Sequence, residues 1–350
     1  MSFRPDPKAI FTTLYTLAIG ALGAVVAYYL SFPVYILIGP AILISVMGLL
    51  GLKLAIAIPL RDVAFLLIGI GIGAGVNADA SAAFLRWPFA FLALAIMLFA
   101  ILLVCRYMLV KFFGFDRRSA ILAASPGHLS FVISTGISLN LDTVNIAVVQ
   151  SVRLLALTLA VPFVAIAFGI DVGTNILPPG DEMQTSHMMA LIACALVVGL
   201  VLKKINVPAA LLIGGLITSS LAHLTDITPG VLTPKIVLPC FLIMGTLIGT
   251  RFSGITLAQL RSALLAGLCT TLVSVSFAAI AAIPIAVILY IPSAHVIVAF
   301  APGGLETMIA MGSFLGASPG FVAACHVGRL LLLTFLVPMM LGRGMQVAQD

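Results

Sequence analysis

Charge is scarce in this chain of 350 residues: only 8% of them are Asp, Glu, Lys or Arg. A soluble domain carries roughly 25%, so these residues cannot cover a water-facing surface. A long polar segment is also missing. The most extended one lies around 178–187, too short for a separate soluble domain, and the chain is not expected to bind nucleic acid. Strands of alternating polarity are absent too, which argues against a membrane β-barrel. The five cysteines (Cys105, Cys194, Cys240, Cys269 and Cys325) sit singly in apolar runs, so they read as small hydrophobes rather than a disulfide framework. The five histidines (His128, His187, His223, His295 and His326) are scattered without metal-ligand spacing, and neither a metal nor another cofactor is expected.

Apolar sequence is what the chain has in abundance. Hydrophobic residues make up 62% of it, with a mean hydropathy of +1.28. Runs of about 20 apolar residues recur, each long enough for a ~30 Å hydrocarbon core. The expectation is an all-α polytopic membrane protein whose first partner is the lipid bilayer. The stretch 10–30 is read as its first span and not as a removed signal.

The chain also repeats itself. Positions 126–162 align with 302–338 at a constant offset of 176, and 14 of these 37 positions are identical. Apolar bias would match leucines. It does not match Pro126/Pro302, Gly127/Gly303, Arg153/Arg329 and Pro162/Pro338 at one offset. Gly69 and Gly73 pair with Gly245 and Gly249 at the same offset. Two membrane repeats are therefore expected, 1–175 and 176–350, joined by an acidic, Pro-containing linker at 171–182.

Spans are expected at about 10–30, 33–51, 59–76, 87–110 and 143–170, and again at 187–202, 208–222, 236–252, 262–290 and 318–341. Interrupted segments at 119–139 and 294–316 follow the fourth span of each half. If these dip and return as re-entrant hairpins, Arg4, Lys8, Lys53, Arg61, Lys111, Arg117, Arg118, Lys203, Lys204, Arg251, Arg261 and Arg343 fall on one side. That side is cytoplasmic by the positive-inside rule, with Arg86 and Lys235 as misfits. Five spans per half is an odd number, so the repeats would be inverted, the plan of many secondary transporters. The expected location is a bacterial inner membrane, with both termini cytoplasmic.

The interruptions carry the candidate site. The first reads Ser125-Pro126-Gly127-His128-Leu129-Ser130, the second Pro302-Gly303-Gly304-Leu305-Glu306-Thr307. Proline removes a backbone donor and glycine permits the bend, so a helix stops and restarts. At membrane depth broken backbone is tolerated only in protein or beside water, and restarting helices aim N–H groups at the gap. Arg153 and Arg329 lie well inside apolar spans, where they either bind an anionic substrate or neutralise the carbonyl end of a broken helix. Gln150 and His326 precede them by three residues at equivalent positions. With Glu306 they form the candidate ion-coupling set, Glu306 either pairing with Arg329 or carrying a proton. Asn140 and Asp142 are expected at the membrane interface. Gly69, Gly71, Gly73 and Gly75 read as a close helix-packing surface, since no βαβ unit surrounds them.

Pro302-Gly303-Gly304-Leu305-Glu306-Thr307-Met308, the following Ala323-Ala324-Cys325-His326-Val327-Gly328-Arg329-Leu330 and the doubled unit resemble the AbrB membrane-protein family across essentially the whole chain. That family is unrelated to the DNA-binding regulator of the same name. The first copy departs from the pattern, with His128 and Ser130 where the second has Gly304 and Glu306. The resemblance brings two labels, ammonia monooxygenase and regulator of an alkylation-response gene, and neither follows from these residues. The leading expectation is a secondary transporter of a small anionic solute, not an enzyme. A membrane-bound oxidoreductase and an indirectly acting regulator are the alternatives. A homo-oligomer remains open as a further partner.

Overall fold

In the computed structural model the described residues are 7–75, 87–126, 129–167 and 180–342. Arg4, Arg86, Gly127, His128, Arg343 and the linker positions 171–179 lie outside them. The first half forms α1 (Pro7–Tyr29), α2 (Tyr35–Leu49), α3 (Ile58–Gly73), α4 (Trp87–Phe113), α5 (Arg117–Ala124), α6 (Leu129–Ser138) and α7 (Thr143–Ala167). The second forms α8 (Thr185–Lys204), α9 (Ala210–Leu224), α10 (Pro234–Gly249), α11 (Leu257–Leu289), α12 (Ser293–Phe300), α13 (Leu305–Phe314) and α14 (Pro319–Leu341). Among the described residues the only β pairing is an isolated bridge between Glu182 and Val231.

Among the described residues seven helices, α1, α4, α7, α8, α10, α11 and α14, are long and apolar enough to cross a membrane. Their outward faces are apolar, as lipid-facing surfaces are: Phe11, Leu272 and Phe335 are 73%, 69% and 75% exposed. Helices α2, α3 and α9 have 15, 16 and 15 residues. At 1.5 Å per residue they reach roughly 22–24 Å. α2 and α3 are shorter than the spans expected at 33–51 and 59–76, while α9 has the length of the span expected at 208–222 and is displaced two residues along the chain. Backbone punctuation sets the ends of α2 and the start of α9. Val34 and Ala209 are left-handed immediately before α2 and α9, and Gly51, at φ 95°, follows α2.

Helix bounds recur between the halves. α5, α6 and α7 start at Arg117, Leu129 and Thr143, and α12, α13 and α14 start 176 residues later at Ser293, Leu305 and Pro319. α3 and α10 are related by the same offset, α2 and α9 by 175. The chain divides into two compact units, and each draws on both halves.

One unit comprises 1–82, 159–256 and 309–321, and is built around α1–α3 and α8–α10. α3 packs on α9 so closely that a Cβ at Gly69 would collide with the backbone of Leu212, and one at Gly73 with that of Leu216. Gly245 on α10 meets the backbone of Leu37 on α2 in the reciprocal way. The Ser219 hydroxyl seals the first contact, donating to the Ile70 carbonyl at 2.7 Å. The small-residue surface at Gly69 and Gly73 therefore serves helix packing.

One end of this unit collects the starts of some helices and the finishes of others. The Ala57 and Ala55 amides at the head of α3 donate to Thr13 and Thr16 near the head of α1, at 3.0 and 3.2 Å. The Leu54 amide donates to Ser253 just past α10 at 2.9 Å. Lys203, in the last turn of α8, pairs with Asp62 in the first turns of α3 at 3.0 Å.

The other unit comprises 83–158, 257–308 and 322–350, and contains α4–α6, most of α7, α11, α12, the start of α13 and most of α14. Its core shows an exchange of large and small residues. A Cβ at Gly267 of α11 would stand 2.7 Å from Val152 of α7, and one at Gly328 of α14 would stand 3.2 Å from the Phe91 ring of α4. Val152 and Gly328 are equivalent at offset 176, as are Phe91 and Gly267. Each contact is thus made once with the large side chain from either helix.

Candidate functional site

The two helix interruptions lie in this second unit. α5 begins under Asp116, whose carboxylate accepts the Arg118 and Ser119 amides, both at 2.9 Å. Partial burial pushes the Asp116 pKa up, but the hydrogen bonds from Ser119 and Arg118 outweigh it and hold the group below the usual carboxylate value. The helix closes with the Ser125 amide donating to Ile121 at 3.0 Å, and Ser125 is extended (φ −63°, ψ 117°) ahead of Pro126. α12 ends in the same way: Ala301 is extended (φ −54°, ψ 131°), and the Gly303 amide turns back to its carbonyl at 2.8 Å across Pro302. α13 then restarts, with Met308 donating to Gly304 at 2.9 Å.

Each stop leaves carbonyls with no helical donor. At the first, four successive carbonyls are served by two side chains of α7. Gln150 donates to Leu122 at 2.9 Å, while Arg153 donates to Ala123, Ala124 and Ser125 at 3.4, 3.2 and 2.9 Å. At the second, Arg329 of α14 donates to Ala301 at 2.6 Å and Gly303 at 2.7 Å. Both arginines are almost fully buried, at 2% and 1% exposure. Their terminal nitrogens neutralise the negative ends of broken helices, the second of the two roles open from sequence. The guanidinium charges themselves remain in the site.

The equivalent positions 150 and 326 behave differently. Gln150 caps a neighbouring helix. His326, with no exposed surface, points Nδ1 at the Val322 carbonyl of its own helix, 2.9 Å away. That carbonyl can only accept, so Nδ1 carries the hydrogen and neutral His326 presents a bare Nε2. Nε2 of His326, Nε of Arg329 and the Ser125 hydroxyl are buried without a hydrogen-bond partner among the described residues.

α7 joins the two interruptions. Gln150 and Arg153 face the first. Leu154 lies over Gly304, its methyl 2.9 Å from where a Cβ would stand, and Leu157 packs with Ala301 and Met308. Ser125, Pro126, Gln150 and Arg153 thus gather at one break, and Pro302, Gly303, Gly304, Glu306, Thr307, His326 and Arg329 at the other. Gly127 and His128 lie outside the described residues, as does the side chain of Ser130 in the first turn of α6. Glu306 is half-buried and makes no ion pair with a described residue, although its charge and that of Arg153 both act on Arg329. Asp142 caps α7, accepting the Val144 and Asn145 amides at 3.1 and 3.2 Å. Among the described residues no three His, Cys, Asp or Glu side chains converge as metal ligands would.

A family model described as "Transition state regulatory protein AbrB" matches residues 35–343. No curated protein matches the chain.

Proposed function

The chain belongs to the AbrB family, and within it we propose a secondary transporter that moves a small anionic solute by alternating access. The observation that carries this reading is the meeting of both helix interruptions across α7, with Arg153 and Arg329 both buried and Glu306 the one carboxylate among the described residues whose charge acts on Arg329. Two guanidinium charges against one carboxylate leave a positive balance in a dry place, which an anion would neutralise. The restarting ends of α6 and α13 add backbone donors and the positive ends of their dipoles. Arg329 Nε, Ser125 and Thr307 offer further donors, and His326 Nε2 offers one acceptor. Coupling to an ion would fall to Glu306 and His326, since the Gln150 amide is committed to Leu122.

An inverted double repeat supports alternating access, because each half can exchange roles with the other about a shared site. α1 and α8 are equivalent helices, yet the head of α1 and the tail of α8 both lie at the head of α3. α3 and α10 stand in the same relation through Leu54 and Ser253. Equivalent helices running in opposite directions are what inversion requires, and they favour interruptions that dip and return.

The reading is tested by uptake into vesicles containing the purified chain, screened with carboxylates, phosphate and sulfate. At least one anion should enter saturably, and the Arg329→Gln chain should fold without transporting it. Stoichiometric copper or iron in the purified chain, with no uptake of any anion, would favour the oxidoreductase instead.

A further inference from the structure

A second polar feature lies at the basic end of α4, away from both interruptions. Leu103, Arg106, Tyr107, Val110, Lys111 and Arg117 line an open cleft of about 730 Å³. We propose that this cleft holds the headgroup of an anionic phospholipid drawn from the surrounding bilayer.

Three cations line it and no carboxylate does. Arg106, Lys111 and Arg117 make no ion pair with a described residue, whereas Arg61 and Lys203 both pair with Asp62. The nearest acid in sequence, Asp116, turns its carboxylate to the Arg118 and Ser119 amides at the head of α5. Lys111 is already positioned: its ammonium donates to the Tyr107 hydroxyl at 2.8 Å and lies 5.2 and 5.7 Å from the Tyr107 and Phe112 ring centres.

The occupant follows from where these charges sit. α4, at 27 residues, is long and apolar enough to cross a membrane, and the cleft occupies its last three turns, where a helix of that length leaves a ~30 Å hydrocarbon core for the headgroups. Leu103, Tyr107 and Phe112 are 41%, 60% and 68% exposed, so an apolar surface suited to acyl chains adjoins the cations. A soluble anion would use the charges but leave that surface bare. Basic residues at a membrane surface each favour anionic lipid about fivefold, so three correspond to a preference on the order of 10²-fold over zwitterionic lipid.

Native mass spectrometry and thermal unfolding of the purified chain, titrated with phosphatidylglycerol or phosphatidylcholine, test the assignment. Phosphatidylglycerol should be retained and raise the unfolding midpoint, and phosphatidylcholine should do neither. Replacing Arg106, Lys111 and Arg117 together by Gln should weaken retention on the order of 10²-fold. If that chain fails to fold, the exposed Lys111→Glu variant should weaken it alone. Equal retention of the two lipids overturns the assignment, as does unchanged retention in the variants. So does an equal midpoint rise with inorganic phosphate alone, which would mark a free-anion site.

Discussion

Replacing Arg329 by Gln separates the two things its guanidinium does, ending α12 and supplying charge. The substitution removes hydrogen bonds of 2.6 and 2.7 Å to Ala301 and Gly303. Charged hydrogen bonds contribute about 1.5–3 kcal/mol each, so the loss is about 3–6 kcal/mol. Against it stands the relief of holding a cation at membrane depth, about 2.5–3.5 kcal/mol on insertion scales. The net destabilisation is then between about zero and 3.5 kcal/mol, which a folded chain can survive. Arg153→Gln should cost less, because only one of its three contacts, at 2.9 Å, is short. Reversible unfolding in lipid gives the stability, and anion uptake by the same preparations gives the function. Arg329→Lys is the informative third variant, since it keeps the charge but cannot reach both carbonyls at once. Uptake should be lowest in Arg329→Gln and partly retained in Arg329→Lys. Arg329→Gln with full uptake and a stability loss below 3.5 kcal/mol would refute the argument that the charge serves the anion.

Other consequences reach beyond the site. Gly69→Val should destabilise the chain by about 1–3 kcal/mol, read as a lower unfolding midpoint, because the added methyls meet the Leu212 backbone. Asp116→Ala should cost about 0.5–2 kcal/mol through the lost cap on α5. The Asp116 pKa is held down in the folded state, so its contribution is full above the unfolded carboxylate value and disappears as pH falls through the folded one. The difference between wild type and Asp116→Ala should therefore shrink in acid, and a constant difference would show that the carboxylate is not the cap. Cysteines placed at Lys53 and Lys203 should be labelled from the same side of the membrane, the side where Lys203 meets Asp62. Labelling from opposite sides would break the inverted arrangement.

The duplication, the two helix stops and the family resemblance were all legible in the sequence, because Pro, Gly and a membrane-buried Arg leave marks that apolar bias does not. The starts of α2 and α9 were not. They are set by the left-handed Val34 and Ala209, which carry no glycine signature. The role of the arginines stood open between anion and helix end, since only the approach of α7 to α5 and of α14 to α12 brings carbonyls to the guanidinium groups. Positions 150 and 326 looked interchangeable. An amide reaches across to Leu122, whereas an imidazole bonds to its own helix, and that divergence rests on side-chain chemistry within an otherwise matched frame. The pairing of Val152 with Gly267 and of Phe91 with Gly328 was also present in the sequence, but it becomes visible only once the helices are known to touch.

On the proposed function, the joined interruptions pass an anion across the membrane. Current recorded from vesicles of the purified chain on a supported membrane tests it most directly, using concentration jumps of carboxylates, phosphate and sulfate. A saturable transient current is expected for at least one of these anions, lost in Arg329→Gln under the same lipid and pH. The same traces from wild type, Arg329→Gln and empty vesicles, for every anion applied, would contradict it.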